Sequence, residues 1–303
     1  MNEKPLISIV TPSLNQDRFL RETILSVLGQ ENADLEYVII DGGSGDNSVS
    51  IIKDFEQDSR LIYWCSEPDS GHYDALNKGF SHTSGEIMAW LNSDDLYLPG
   101  TLSIISDLFQ AFPEIKWLTT TQHVHFNARG QMTLCRYVGG YNGQAFWRGS
   151  NLTGQEWFGR ALIQQEATFW RRSLWDRAGG RLDDAYSLAG DFELWTRFVQ
   201  YAPLYAADVP LAGIRKHEAQ QTAVSRKAYF DEATKAFRAA GGRPYGRLQS
   251  TWRRALWILG GHRSYQKLPA AVGRLLVKLG ILYPVKVCVW QDGRWTIVDD
   301  YVV

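Results

Sequence analysis

Cysteine is scarce in this chain, and the scarcity excludes two structural devices. Cys65, Cys135 and Cys288 are odd in number and far apart, which fits neither a disulfide framework nor the paired spacing of a zinc site. Reduced structural thiols are expected. No internal repeat and no low-complexity tract is present. Met1 to Pro5 run directly into the first apolar stretch, without the charged leader and apolar core of a signal peptide, so a cytoplasmic chain is expected. Two phosphate-binding loops are missing as well. A dinucleotide fingerprint needs G-x-G-x-x-G after the first strand, where this chain has Thr11-Pro12-Ser13-Leu14-Asn15-Gln16. A P-loop lysine pattern is also absent.

What is present is a chain of 303 residues, 45% hydrophobic and 13% aromatic, enough for one large domain or one domain with an appendage. The net charge of −1 hides an asymmetry. Residues 1–225 hold 18 Lys/Arg against 28 Asp/Glu, whereas residues 226–303 hold 14 against 5. A basic module on an acidic body suggests a polyanionic partner, either membrane or nucleic acid.

Strands alternate with helices through the first third. Leu6 to Thr11 is β-branched and apolar and ends at Pro12-Ser13. Leu20, Ile24, Val27 and Leu28 then share one helical face, predicting a helix over about 18–29. Further strands are expected at Leu35–Ile40, Leu61–Cys65 and Ile87–Leu91, with helices near 48–55, 73–80 and 101–112. Such alternation implies an α/β fold with a largely parallel, Rossmann-like sheet. Beyond it, Trp117 to Phe126 and Met132 to Val138 read as strands and Phe192 to Tyr201 as a helix. The stretch after Ser225 reads as mostly helical, with a hairpin over Val285 to Val302 around Gln291-Asp292-Gly293.

Polar residues gather where each strand ends. Thr11, Pro12 and Ser13 follow the first strand, Asp41 and Ser44 the second, Glu67 and Asp69 the third, and Asn92, Ser93, Asp94 and Asp95 the fourth. Ligands of open α/β sheets bind just beyond the carboxyl ends of strands. Asp94 and Asp95 are suited to a hard divalent cation, which takes one or two carboxylates, waters and substrate phosphate oxygens. Any one of these residues alone reads as a turn residue; their recurrence at four successive strand ends favours a site. Lys78 could pair with Asp74 across one helical turn or approach a diphosphate.

Several motifs in order, Ile7 to Asn15, Val38 to Ser44, Asp69 to Gly79, Gly85-Glu86-Ile87 and Asn92-Ser93-Asp94-Asp95, together resemble family 2 glycosyltransferases. The resemblance covers roughly residues 5–220. It implies a GT-A fold, a nucleotide-diphosphate-sugar donor (UDP-sugar first, GDP- or dTDP-sugar next) and an inverting transfer. It also implies that Thr11, Pro12, Ser13, Asp41 and Ser44 hold the nucleoside, with Asp69 and Lys78 near base or phosphate and Asn92 and Ser93 beside the donor. Asp94 would ligate Mn²⁺ or Mg²⁺, with Asp95 and His217 as further metal residues. Asn92 departs from the family's Asp-x-Asp pattern at its first position, which leaves the ribose or metal contact of that position open. Gln164 to Arg172 and Leu188 to Trp195 look like the acceptor half, and Asp191 matches the family's catalytic base. Asp is also a favoured N-cap, so Asp191 could cap the helix expected from Phe192. His123 and His125 read as surface residues of one strand.

The expected division is therefore a GT-A domain over 1–225, with a nucleotide-sugar half to about 115 and an acceptor half from 116, followed by a basic amphipathic extension over 226–303. Residues 226–286 contain 13 Lys/Arg and only Asp231 and Glu232 as acids. Trp252, Leu256 and Leu259 share one helical face, with Trp257 beside them, and Val272, Leu275, Leu276 and Leu279 form another stripe. Basic amphipathic helices of this kind lie in a membrane interface or pack on a neighbouring domain. Arg263, Lys267, Arg274, Lys278 and Lys286 interrupt every window long enough for a span. No nucleic-acid module is recognisable. The expected acceptor is a glycan or lipid-linked hydroxyl used in surface polysaccharide assembly. The rival readings are a sugar-phosphate nucleotidyltransferase, which would want a Gly-rich basic first loop, and an inactive nucleotide-sugar-binding protein.

Overall fold

A computed structural model describes residues 4–152, 162–218, 220, 225–260 and 269–302. Arg263 and Lys267 lie outside the described residues, as do the side chains of Leu256, Trp257 and Leu259.

The chain opens with β1 (Ile7–Ser13), α1 (Asp17–Leu28), β2 (Leu35–Asp41), α2 (Ser48–Lys53), β3 (Leu61–Ser66), α3 (His72–Ser81) and β4 (Ile87–Trp90). Every residue of β1, β2 and β4 is buried, as expected of parallel strands covered on both faces. β1 lies between β2 and β4 and is parallel to both. The chain thus extends the sheet one way through β2 and β3, then returns to the other side of β1, creating the switch-point crevice in which α/β ligands bind. Register aligns the strand ends there: Ser13 lies opposite Asp41, and Asp41 opposite Ser66.

The next elements are β5 (Leu96–Tyr97), α4 (Thr101–Ala111), β6 (Trp117–Thr120), β7 (Gln122–Asn127), β8 (Met132–Tyr137), α5 (Gly143–Phe146), β9 (Phe169–Arg171), α6 (Arg172–Arg177), α7 (Gly190–Tyr201), β10 (Leu204–Ala207) and β11 (Ala212–Lys216). The single strand expected over Trp117 to Phe126 divides at Thr121. Its first part joins the main sheet and its second part a smaller one. β9 inserts antiparallel between β4 and β6, while β5, β11, β7 and β8 form the small sheet in that order. Pattern reading missed β9, β10 and β11, which are three to five residues long and too short to show a period.

The last elements are α8 (Arg226–Ala239), α9 (Arg247–Gly260), α10 (Ala270–Lys278), β12 (Tyr283–Gln291) and β13 (Arg294–Val302). The hairpin forms as expected, Gln291 opposite Arg294. Asp292 and Gly293 have φ of 52° and 73°, the two positive values that a type I′ turn requires. This hairpin completes the main sheet. β12 runs parallel to β10, pairing Ala206 with Val287, and the full strand order is β13-β12-β10-β6-β9-β4-β1-β2-β3. The 226–303 stretch therefore shares its sheet with the preceding domain.

An aromatic core locks the middle of this sheet to α7. Trp195 of α7 stacks on Trp90 at 6.0 Å and on Trp117 at 5.5 Å, and Trp170 meets Trp90 edge-on at 5.5 Å. All four indoles are fully buried. Offset and edge-to-face pairs of this kind add about 0.5–1.5 kcal/mol each beyond area burial, so α7 is a rigid strut.

Candidate active site

The nucleotide side of the crevice is assembled by the aligned ends of β1, β2 and β3. Asp41 is fully buried. Its Oδ2 accepts from the Ser44 backbone N–H at 2.9 Å and from Ser66 Oγ at 2.6 Å, and its Oδ1 accepts from Ser44 Oγ at 2.5 Å. A carboxylate offers about four acceptor positions, so three of Asp41's are already used. Asn15 donates its N–H to Ser44 Oγ at 2.7 Å and accepts at Oδ1 from Gly45 N–H at 2.9 Å, which ties the first two loops together. Asp69 closes over this corner. A methyl group on Gly42 would meet Asp69 Oδ2 at 2.9 Å, so only glycine admits that approach. Ser13 Oγ is buried and has no partner among the described residues, a vacancy for a polar ligand group.

Other members of the expected nucleotide set are placed differently. The Thr11 hydroxyl accepts from Tyr37 Oη at 2.8 Å and is fully buried, so its side chain serves the core. Pro12 lies opposite Ile40, within the sheet. Lys78 pairs with Glu67 rather than with Asp74, which instead accepts from Ser70 N–H at 2.9 Å. The Ser93 carbonyl and the Asp95 carbonyl both accept from Thr23 Oγ1, at 3.0 and 2.9 Å, pinning the loop after β4 to α1.

That loop separates the two adjacent carboxylates. Asp94 stays at the surface of the site, where its Oδ2 meets His217 Nε2 at 2.8 Å. Asp95 turns inward: it is 1% exposed, and its Oδ1 accepts from Arg215 N–H at 2.9 Å and its Oδ2 from Asn92 Nδ2 at 3.1 Å. Burial, with Asp94 and Glu166 nearby, holds its carboxyl well above the usual carboxylate range. Asp95 thus lies behind Asp94, with both carboxylate oxygens already accepting from the protein. Its neighbour Asn92 also donates to Gln165 Oε1 at 3.3 Å, and the Asn92 Oδ1 is buried without a partner among the described residues.

Arg215 knits this corner. Its buried side chain donates to the Asp94 carbonyl at 2.8 Å and to Glu22 Oε2 at 2.7 Å, and it lies over the Phe19 ring at 4.9 Å. β11 thereby delivers His217 beside Asp94 from a position 123 residues away in the chain. Among the described residues no three His, Cys, Asp or Glu side chains converge as a metal cage. A carboxylate and an imidazole at the rim still suit a cation that draws its other ligands from water and substrate phosphate.

Asp191 occupies the second residue of α7, which begins at Gly190 with Ala189 as its N-cap. It is not the helix cap. Tyr229 of α8 donates its hydroxyl to the Asp191 carboxylate, 3.2 Å from each oxygen. Tyr73 of α3 accepts from Gly190 N–H at 2.9 Å and Asp191 N–H at 3.4 Å and donates to the Leu188 carbonyl at 2.8 Å. Glu232, also on α8, accepts from the N–H groups of Ser187, Leu188 and Ala189 at 2.8–3.1 Å. Burial pushes the Asp191 carboxyl up to about 6; the Phe192 N–H and the Tyr229 hydroxyl pull it down, and Glu232 pushes it further up.

Glu166 is a third raised carboxyl, after Asp95 and Asp191. It lies in a short 3-10 turn, Gln165–Ala167, where burial lifts it to about 7, Lys216 lowers it and Asp191 raises it. Gln164 Nε2 donates to its Oε1 at 2.6 Å. Because Glu166 feels Asp191, and Asp95 feels both Glu166 and Asp94, Asp191 and the loop after β4 share one electrostatic neighbourhood. His72 and Tyr73 bridge them as well, since His72 feels Asp94 while Tyr73 holds Asp191.

Sequence reading had no role for Tyr73, Glu166, Tyr229 or Glu232. One signal did exist for α8: Asp231 and Glu232 are the only acids in an otherwise basic stretch. The histidines of β7 need correction. His123 is buried, with its Nε2 3.1 Å from Tyr141 Oη, and only His125 reaches partial exposure.

This arrangement, a mostly parallel sheet with polar strand ends on one side of the crevice and a raised carboxyl on the other, is that of a GT-A sugar-transfer fold. The chain matches the family model described as "Glycosyl transferase family 2" over residues 8–162, just over half its length, and belongs to that family of glycosyltransferases. It is 40% identical over 98 residues to the uncharacterized glycosyltransferase Rv1514c of Mycobacterium tuberculosis, a stretch covering 32% of this chain and 37% of that protein. It is similar also to TuaG of Bacillus subtilis, a putative teichuronic acid biosynthesis glycosyltransferase, at 37% identity over 95 residues, 31% of this chain and 38% of that one. These matches span little more than a third of either relative. In fold, the chain resembles TarS of S. aureus, solved as residues 1–349 with UDP-GlcNAc, with a TM-score of 0.58 at 13% identity over 88% of this chain and 76% of that one.

Proposed function

We propose that this glycosyltransferase moves a sugar, with inversion, from a nucleotide-diphosphate donor to a hydroxyl of a glycan or lipid-linked acceptor used in surface polysaccharide assembly. The observation that carries the reading is Asp191: a half-buried carboxylate, raised to about 6 and gripped by Tyr229 at the start of a rigid helix. A base must be unprotonated yet proton-seeking near neutral pH, and a carboxyl raised by burial meets both conditions.

In the step itself, Asp191 takes the proton of the acceptor hydroxyl as that oxygen forms its bond to the anomeric carbon. The bond from that carbon to the diphosphate breaks on the opposite face, and the nucleotide diphosphate leaves with the electron pair. Asp41, Ser44, Ser13 and Asp69 hold the nucleoside end of the donor. Asp94 and His217 would hold Mn²⁺ or Mg²⁺, whose charge neutralises the leaving diphosphate. TuaG, to which the chain is similar, supports polysaccharide assembly as the setting, and the cytoplasmic face of the membrane is where such a donor and a lipid-linked acceptor would meet. A UDP-sugar is the first donor to try, since TarS binds UDP-GlcNAc on the same fold.

The experiment is a donor screen with and without Mn²⁺, reading nucleotide diphosphate release and product linkage. Transfer with inversion that Asp191→Asn removes supports the proposal. Retention at the anomeric carbon, or release of a nucleoside monophosphate instead, overturns it.

A further inference from the structure

Two helices of the C-terminal region turn apolar side chains to solvent. On α9, Leu248 and Trp252 are one turn apart and 87% and 40% exposed. On α10, Val272 and Leu275 share a face with Leu279 just beyond it, at 40%, 55% and 62% exposure. The opposite sides of both helices are already packed. Arg253 of α9 is buried and donates to the carbonyls of Gly280 and Ile281, with its guanidinium 4.5 Å from the Tyr245 ring centre. Gly273 of α10 lies so close to the Tyr301 ring of β13 that a methyl group there would stand 2.7 Å from it. The exposed sides are thus faces left over after docking to the domain.

Charge marks the same region. From Ala233 to Gln291 there are 11 Lys/Arg and no acid. The nearest upstream acid with a defined role, Glu232, is committed to the loop before α7. Arg274 and Lys278 are exposed within the α10 stretch itself. None of the described helices is long and apolar enough to cross a membrane.

We propose that this face seats the protein on an anionic lipid surface, with Leu248, Trp252, Leu275 and Leu279 entering the interface and Arg274 and Lys278 meeting the headgroups. Aliphatic side chains beside cations suit the boundary of headgroup and acyl chain. Single-stranded nucleic acid would ask for several stacking aromatics along a basic groove, where these faces offer Trp252 among aliphatic side chains. A second copy on a two-fold axis would bring Arg274 and Lys278 of each α10 toward their counterparts, which like-charge repulsion disfavours. α8, in the same region, holds the catalytic helix through Tyr229 and Glu232, so seating here would bring the site to a membrane-borne acceptor. Vesicle binding needs neither donor nor acceptor, so the inference stands or falls separately from the proposed reaction.

The test is sedimentation of the full chain with vesicles of phosphatidylcholine alone and with phosphatidylglycerol added, at low and high salt. Binding to the anionic vesicles that salt weakens is expected. Arg274→Glu with Lys278→Glu should lower it by about tenfold or more, as should Leu275→Glu with Leu279→Glu, while the circular dichroism spectrum is unchanged. If the apolar variant misfolds, the charge variant still decides. Absence of anionic-vesicle binding at low salt overturns the proposal, as do charge variants that bind like the parent. Equal or tighter binding to duplex DNA, or a vesicle-free dimer that the same variants dissociate, assigns the face elsewhere and also overturns it.

Discussion

The loop that carries Asp94 and the helix start that carries Asp191 are built from different materials. Asp94 is held by an imidazole and by the guanidinium that grips its carbonyl, with a second carboxylate buried directly behind. Asp191 is held by the Tyr229 hydroxyl at its carboxylate, by the Tyr73 hydroxyl at its backbone N–H and by a preceding loop anchored by Glu232. At Asp191 burial raises the carboxyl to about 6 against the pull of the Tyr229 hydroxyl, the range that the proposed base needs. The two proposed roles, metal ligand and base, thus fall on aspartates with different neighbours.

The comparison breaks first at Asp191. Asp191→Asn keeps size and hydrogen bonding but removes the base, so turnover should fall by ~10² or more with donor affinity unchanged. Steady-state rates at saturating acceptor, with calorimetry of the donor, check both halves; near-parental turnover would move the base to another residue, Glu166 first. Trp195→Ala removes the strut behind Asp191 and should cost about 3–5 kcal/mol of stability, read by denaturant unfolding. A loss confined to activity, with stability intact, would mean that the aromatic core does not support the base. Asp94→Ala should weaken Mn²⁺-dependent binding of a nucleotide diphosphate by about tenfold to a hundredfold, because it removes the anionic ligand. Calorimetry with and without Mn²⁺ decides it, and undiminished metal-dependent binding would place the metal away from Asp94.

The smallest effects are the most discriminating. Rate should fall as pH drops below about 6, since protonation then removes the base. Tyr229 stabilises the anionic form, so Tyr229→Phe should move this acid limb to higher pH. Glu232 opposes it, so Glu232→Gln should move the limb to lower pH. Shifts in kcat/KM profiles below one pH unit are expected. Movement of both in the same direction would show that α8 acts by packing alone rather than through charge and hydrogen bonding.

The strand-helix alternation from β1 to α4 was legible because each unit is a local pattern. Apolar period, β-branched runs and polar loop residues lie within a few positions of one another, and the expected bounds of α1, α3 and α4 fall within about two residues of those observed. Asp94, Asp41 and Asp191 could be picked out from motif order. Their partners could not: His217 reaches Asp94 across 123 positions, Tyr73 reaches Gly190 across 117, and Arg215 reaches Asp95 across 120. The same limit explains the C-terminal stretch, whose basic composition suggested an appendage while β12 was completing the sheet on β10. Sequence alone determined the α/β class, the chemistry at the strand ends and the charge asymmetry, since these depend on neighbours along the chain. Only the tertiary structure decided that Asp94 and Asp95 part company, that Glu166 is raised with Asp191 close enough to add to the shift and that α8 holds Asp191. Burial, hydrogen-bond partners and pKa shifts depend on residues that meet only when distant segments pack.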